Sequence, residues 1–359
     1  MNAFIKAYSY LNLGDDLFVK ILCDRYPDTK FKIVTHYLYK SAFEKIENLE
    51  VIVQPRYIDT ILSMINKRFS FNNYFARKFI KNSDITIHIG GSIFIQTTDW
   101  EKRHKEYEKD INNSEKFVVL GANFGPYNNP EYKKLYEKSF SEINDIVFRD
   151  QKSNDLFPKL ENKRLAPDIV FSMKSTVEIE ESQSVVIVLI NLENREELSE
   201  YKNDYESKLI EACEAFNHNN TRVTLMGFCD GEDDQSAIDR IQNRLSFTAN
   251  EYLYQGNIDE ALHILQEAKG IIATRFHAMV LGWIYGKPVY PIAYSGKMTN
   301  VMNDLDFDNN YCTIPDIKNI DIDEIVDFIN NYEEFDISKT RQEAEKHFLF
   351  LDQILKKKD

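Results

Sequence analysis

The chain has 359 residues, enough for about two domains of ordinary size. Apolar residues at 43% and aromatics at 13% fill well-packed cores and exclude wholesale disorder. A formal charge of −14, with no pronounced basic block, speaks against nucleic acid as a general partner.

In chain order, short apolar runs alternate with longer amphipathic ones. Strands are expected at Phe4–Tyr8, Phe31–Thr35, Val51–Gln54, Ile85–Ile89, Phe117–Leu120 and Ile146–Phe148. Helical patterns lie between them at Asp16–Arg25, Tyr57–Lys67, Phe75–Asn82, Glu101–Asn112 and Glu131–Ile143. After a polar stretch, Glu178 to Ser184, a second series has strands at Val185–Ile190, Arg222–Phe228, Glu251–Tyr254, Ile271–Thr274 and Val289–Ala293. Its helical runs are Tyr201–Phe216, Gln235–Leu245 and Ile258–Glu267, and two more, Asp323–Tyr332 and Lys339–Lys356, end the chain. Strands alternating with helices imply βαβ units and a mainly parallel sheet. The fold class expected is α/β, with two Rossmann-like domains facing across a cleft in the glycosyltransferase-B-like manner. The boundaries expected are 1–175, 176–335 and a C-terminal helix, 336–359, that packs back on the first domain.

Cys23, Cys213, Cys229 and Cys312 are widely separated, with no C-x-x-C pair. They read as reduced thiols in apolar surroundings, with no zinc knuckle or redox motif. The N-terminus lacks the basic start and apolar block of a signal peptide, and no apolar run approaches the ~20 residues that cross a bilayer. A cytoplasmic location is expected, extending at most to peripheral contact with the inner membrane surface. Lys356-Lys357-Lys358 reads as a solvated helix end.

The strand ends carry the chemistry. The strand Gly270–Thr274 runs into Arg275 and His277, and the strand Val289–Tyr294 leads to Ser295-Gly296-Lys297. Ligands of open α/β sheets bind outside the carboxyl ends of the strands. Arg offers a planar fork to a carboxylate or phosphate, Lys a point charge, and His a titratable proton. Together they describe a site for a small acidic substrate that needs proton transfer.

Other strand ends give shorter motifs. Asn12-Leu13-Gly14-Asp15-Asp16 follows the first strand, where one aspartate caps the next helix or projects toward a sugar hydroxyl. Gly90-Gly91-Ser92 follows the fourth and allows close backbone approach or simply a tight turn. Within that strand, His88 reads as a core histidine. Gly125-Pro126 marks a rigid turn, with Asn123 as a turn-former or ligand donor. Arg149-Asp150 and Ser153 end the sixth strand as an anion-reading position or a surface ion pair, and Pro167-Asp168 closes the first half. Asp168 caps a turn, orients an arginine or serves as a proton-transfer group. Trp100, Tyr127 and Trp283 read as core aromatics that are able to stack on a sugar if exposed.

In this order and separation, the motifs resemble the polysaccharide pyruvyl transferase family over roughly residues 5 to 305. Arg275-Phe276-His277-Ala278, Gly286-Lys287-Pro288 and Lys297 are its strongest part. One departure is Ser92, where members often carry a third glycine. The resemblance implies phosphoenolpyruvate as donor, used as a substrate, with no cofactor and no metal. It implies a pyruvate ketal on two hydroxyls of a sugar in a bacterial-type surface polysaccharide, or on its lipid-linked precursor.

On this reading Arg149, Arg275 and Lys297 line one cleft and neutralise the donor, and Phe276, Gly90 and Gly91 complete the substrate contacts. The first domain then takes the acceptor side and the second the donor side. His277 is the expected general acid, the alternatives being a donor to the departing phosphate or a core histidine that caps the next helix, while Asn12 and Asp15 position the acceptor, with Asp15 also a candidate base. Arg149 is counted with the catalytic set. The alternative is a sugar-nucleotide glycosyltransferase of the same architecture, with Arg275 and Lys297 on a nucleotide diphosphate. A third reading is a non-catalytic glycan- or anion-binding protein.

Overall fold

The structure is a computed structural model that describes residues 1–54, 75–174, 182–307 and 310–356. The helix expected over Tyr57–Lys67, most of the polar stretch 178–184, and Lys357 and Lys358 lie outside the described residues. The chain forms two compact units. The first comprises Met1–Ser9, Asp15–Ser172 and Arg341–Asp359; the second comprises Tyr10–Gly14 and Met173–Thr340. The boundaries thus fall at 172/173 and 340/341, where the sequence suggested 175/176 and 335/336. The assignment of Tyr10–Gly14 follows from backbone pairing: Leu13 N–H donates to Phe228 O at 3.2 Å, and Asn12 bridges Cys229.

The first unit holds a seven-stranded sheet in the order β3-β2-β1-β4-β5-β6-β7. Its strands are β1 (Asn2–Lys6), β2 (Lys30–Thr35), β3 (Leu49–Val53), β4 (Ile85–Ile89), β5 (Phe117–Ala122), β6 (Asp145–Phe148) and β7 (Lys163–Leu165). Every pairing is parallel, so all carboxyl ends lie along one edge. Chain order reverses at β1, which pairs with both β2 and β4.

One face is covered by a cluster of aromatic rings. Phe94 meets Phe140 edge-on at 4.9 Å, and Phe124 meets Phe157 at 4.9 Å and 89°. Such pairs add roughly 0.5–1.5 kcal/mol each beyond area burial. His88 lies within this core, 5.7 Å from Phe94. Burial drives its imidazole well below the ordinary range, so it is a neutral core group.

The second unit holds a six-stranded sheet in the order β10-β9-β8-β11-β12-β13. The strands are β8 (Ser184–Leu189), β9 (Arg222–Gly227), β10 (Asn250–Leu253), β11 (Gly270–Ala273), β12 (Val289–Ala293) and β13 (Cys312–Thr313). These pairings are again all parallel. All six residues of β8 are buried, as expected of a strand covered on both faces. The order reverses between β8 and β11, which places the loops after these strands at the switch point where ligands bind.

The C-terminal segment is not the single helix expected over Lys339–Lys356. Helices Ser338–Ala344 and Leu349–Leu355 flank a 3-10 turn, Glu345–Phe348. The tighter turn carries His347 and Phe348, both fully buried. The segment from Arg341 onward belongs to the first unit. Arg25 bonds Asp352 at 2.8 Å and Glu345 at 2.7 Å and stacks on the Phe348 ring at 4.2 Å. Tyr26 Oη donates to Asp352 at 2.7 Å.

Candidate active site

In the second unit, Arg275 is the N-cap residue of the helix Phe276–Ile284, immediately beyond β11. Its guanidinium is buried. Nη2 donates to both carboxylate oxygens of Asp234 at 2.5 and 2.6 Å, and Nη1 to Glu232 Oε2 at 2.7 Å. The expected open fork is therefore turned onto two carboxylates from the turn after β9. Asp234 is fully buried and accepts the backbone N–H groups of Phe228 and Cys229, each at 3.0 Å. Burial raises the Asp234 pKa against the opposing pull of Arg275. Burial also penalises the Arg275 charge, yet Asp234 and then Glu232 carry its pKa up overall. Glu232 Oε2 accepts a second guanidinium, Arg195 Nη2, at 2.5 Å. Arg195 stacks over the Tyr294 ring at 4.8 Å.

His277 is the second residue of the same helix and is half-buried. Its ring meets Phe276 edge-on at 5.0 Å. Its Nδ1 lies 1.8 Å from where a Cβ on Gly14 would stand, so the imidazole rests on bare backbone. Gly14 N–H in turn donates to Asn12 Oδ1 at 3.1 Å. Asn12 thus shapes the turn, and the helix Leu13–Arg25 begins before Asp15 and Asp16, which sit in its first turn. Asp16 is fully buried and Asp15 half-buried. Lys297 is half-buried in the first turn of the helix Gly296–Asp304, beyond β12 and next to β11.

In the first unit, Arg149 follows β6 and is buried. Nη1 pairs with Asp168 Oδ2 at 2.8 Å, and Nη2 donates to Asn123 Oδ1 at 2.7 Å. A Cβ on Gly91 would fall 2.3 Å from Nη1, so this guanidinium also lies on glycine backbone. Gly90 has φ +154°, a conformation closed to most side chains. Asp150 does not pair with Arg149. It caps the helix Gln151–Asp155 by accepting Ser153 N at 2.8 Å and Ser153 Oγ at 2.9 Å. Ser153 Oγ accepts from Phe124 N at 2.8 Å and so ties in the Gly125-Pro126 turn, whose peptide bond is cis.

The structure thus brings together Gly91, Asn123, Arg149 and Asp168 in the first unit. In the second it brings together Asn12, Gly14, Glu232, Asp234, Arg275 and His277, with Lys297 on the adjacent loop. Sequence reading missed Arg195, Glu232 and Asp234. The only signal was the acidic run Asp230-Gly231-Glu232-Asp233-Asp234 directly after a strand. Trp100 and Trp283 are core residues, and Tyr127 is half-buried. Among the described residues no group of His, Cys, Asp or Glu is placed to hold a metal ion, and no helix is long and apolar enough to cross a membrane.

The family model for polysaccharide pyruvyl transferase matches residues 12–296. No curated protein matches in sequence. Among solved structures, the chain is similar to Anabaena Alr3699/HepE in complex with UDP-glucose, with 13% identity and a TM-score of 0.57 over 99% of this chain and 97% of that one. It is also similar to the Methanocaldococcus jannaschii UDP-GlcNAc 2-epimerase in complex with UDP-GlcNAc and UDP, at 8% identity and a TM-score of 0.59 over 98% and 99%. The Escherichia coli heptosyltransferase WaaC with ADP follows at 10% identity and a TM-score of 0.50 over 92% and 99%. At these identities the likeness concerns the fold alone, an α/β fold of the two-domain glycosyltransferase-B-like type. The chain belongs to the polysaccharide pyruvyl transferase family.

Proposed function

We propose that this member of the family forms a pyruvate ketal on two hydroxyls of a sugar in a surface polysaccharide or its lipid-linked precursor, with phosphoenolpyruvate as donor. The observation that carries the reading is the pairing of Arg275 with His277 at one strand end. The arginine is fixed from behind by Asp234, and the imidazole is seated on Gly14.

The chemistry assigns each group a task. His277, as imidazolium, gives its proton to the methylene carbon of the donor, and the central carbon becomes oxocarbenium-like. One sugar hydroxyl adds through oxygen and releases its proton, with Asp15 the candidate base. A neighbouring hydroxyl then displaces inorganic phosphate, also losing its proton, and the ketal ring closes. Arg275 and Lys297 meet the donor's acid groups from the second unit. Arg149, held by Asn123 and Asp168, is a preorganised guanidinium within the first unit, suited to reading an anion. Preorganised cations of this kind stabilise developing charge without reorganising as it appears. Asn12 shapes the turn that seats His277, and Gly90 and Gly91 let backbone and guanidinium approach closely.

The test is to incubate the protein with phosphoenolpyruvate and a panel of sugar acceptors, reading inorganic phosphate and product mass. Phosphate release with a pyruvate-ketal product is expected. Sugar transfer from a nucleotide sugar, with phosphoenolpyruvate inert, would overturn the reading.

A further inference from the structure

Four loops of the second unit meet at the carboxyl edge of its sheet: those after β8, β9, β11 and β12. They deliver Arg195, Glu232 with Asp234, Arg275, and Tyr294 with Lys297. Two guanidiniums converge on one oxygen, Glu232 Oε2, at 2.5 Å from Arg195 and 2.7 Å from Arg275. Two charged forks around one carboxylate oxygen form the arrangement that recognises a carboxylate or phosphate ligand.

The two carboxylates of this cluster are not equivalent. Asp234 is fully buried and held by two backbone N–H groups, so it is fixed. Glu232 leaves 41% of its side chain exposed. It stands on a 3-10 turn, Asp230–Glu232, followed by Asp233 at φ +61°. It is the one of the pair that can swing away. When it does, Arg195 and Arg275 face a single fixed carboxylate, and the cluster gains one net positive charge. Arg195 keeps its place because its guanidinium stacks on Tyr294.

We propose that Arg195 and Arg275 form a two-guanidinium clamp for the acid group of an anionic donor, with Glu232 as an internal carboxylate that competes with the donor for it. Arg195 is then a donor-binding residue, and Glu232 sets donor affinity by occupying the clamp. The proposal rests on the reading that this edge binds an anionic donor.

Calorimetric titration with phosphoenolpyruvate, inorganic phosphate and UDP-glucose tests it on the wild type, Glu232→Gln, Arg195→Ala and Arg195→Lys. Hydrogen bonds to charged groups are the strong ones, so removing the competing charge should tighten phosphoenolpyruvate binding about tenfold or more. Arg195→Ala should weaken it by a similar factor, and Arg195→Lys should recover only part, since it lacks the fork and the stack. A purely structural Glu232 gives the opposite sign, with weaker binding and a lower melting temperature in Glu232→Gln. Phosphoenolpyruvate binding that Glu232→Gln weakens or leaves unchanged overturns the clamp while the donor reading stands. UDP-glucose binding alone overturns the donor reading. In that case the clamp is supported if Glu232→Gln tightens UDP-glucose and overturned if it does not. Failure of every anion to bind any of the four proteins overturns the clamp as well. Arg195 lies on a loop with part of its side chain in solvent, so its variants test the clamp even if Glu232→Gln misfolds.

Discussion

Gly14 and Gly91 each seat a functional side chain: the His277 imidazole lies on one and the Arg149 guanidinium on the other. A single methyl group at either position occupies space already filled. Gly14→Ala is expected to push His277 aside, and Gly91→Ala to push Arg149 out of its Asn123–Asp168 cradle. Misplacement by about 1 Å costs on the order of 10²-fold in rate. Gly296→Ala is the control, because nothing lies within 4 Å of its Cβ position. Turnover per folded molecule decides, and near-normal rates in both variants would sink the seating argument. Asp168→Ala acts differently. It leaves the buried Arg149 charge without its ion-pair partner, and breaking such a pair costs about 3–5 kcal/mol. Denaturant titration should show that loss, whereas a cost below about 1 kcal/mol would mean that Asn123 suffices. Arg275→Lys keeps the charge but cannot hold Asp234 and Glu232 together, so both stability and activity should fall.

The C-terminal segment reaches toward the Arg149 cradle through a hydrogen bond of His347. His347 Nε2 lies 2.6 Å from Pro167 O, and a carbonyl only accepts, so Nε2 carries the proton. Pro167 precedes Asp168, which holds Arg149. Burial lowers the His347 pKa from 6.5 to about 4. A base with a depressed folded pKa stabilises the fold fully above its unfolded pKa and loses that contribution as pH falls through the folded value. Between pH 6.5 and 4 the unfolded chain binds the extra proton, and His347 should cost about 3 kcal/mol of stability across that window. His347→Gln should flatten this part of the stability–pH curve relative to wild type. Curves that stay parallel would show that His347 does not titrate in this way. None of this was readable from sequence, because Pro167 and His347 are 180 residues apart. The strands were readable where apolar runs are continuous, as at Ile85–Ile89 and Val289–Ala293. The edge strands Lys163–Leu165 and Cys312–Thr313 are too short to show a period. The strand expected at Phe4–Tyr8 starts and ends two residues earlier, because Ala7 and Tyr8 already belong to the loop. Likewise the cations at strand ends stood out, but their carboxylate partners did not. Arg275 meets Asp234 across 41 residues and Glu232 across 43, a pairing set by the order β9-β8-β11.

The whole molecule keeps its four cysteines in the interior, none in a disulfide. Burial pushes the thiols of Cys213 and Cys312 up to about 12 and that of Cys229 to about 11, and raises Cys23 as well. The thiolate is the reactive form, so a thiol reagent at neutral pH should label none rapidly in the native protein and all four in denaturant. Rapid native labelling would locate an opened region. The first unit is completed only by a distant part of the chain, Arg341–Asp359. A fragment of residues 1–172 should therefore melt poorly on its own and gain cooperativity when a peptide of residues 337–359 is added. A fragment equally stable without the peptide would show that the contacts of Arg25 and Tyr26 contribute little. The same discontinuity orders events during synthesis. A ribosome releases the chain from its N-terminus, and domains close once their last residues emerge. Residues 173–340 leave the exit tunnel ahead of His347 and Asp352. The second unit can close first, while Arg25 and Pro167 wait uncovered, exposed to chaperones and proteases until the segment carrying Glu345, His347 and Asp352 arrives.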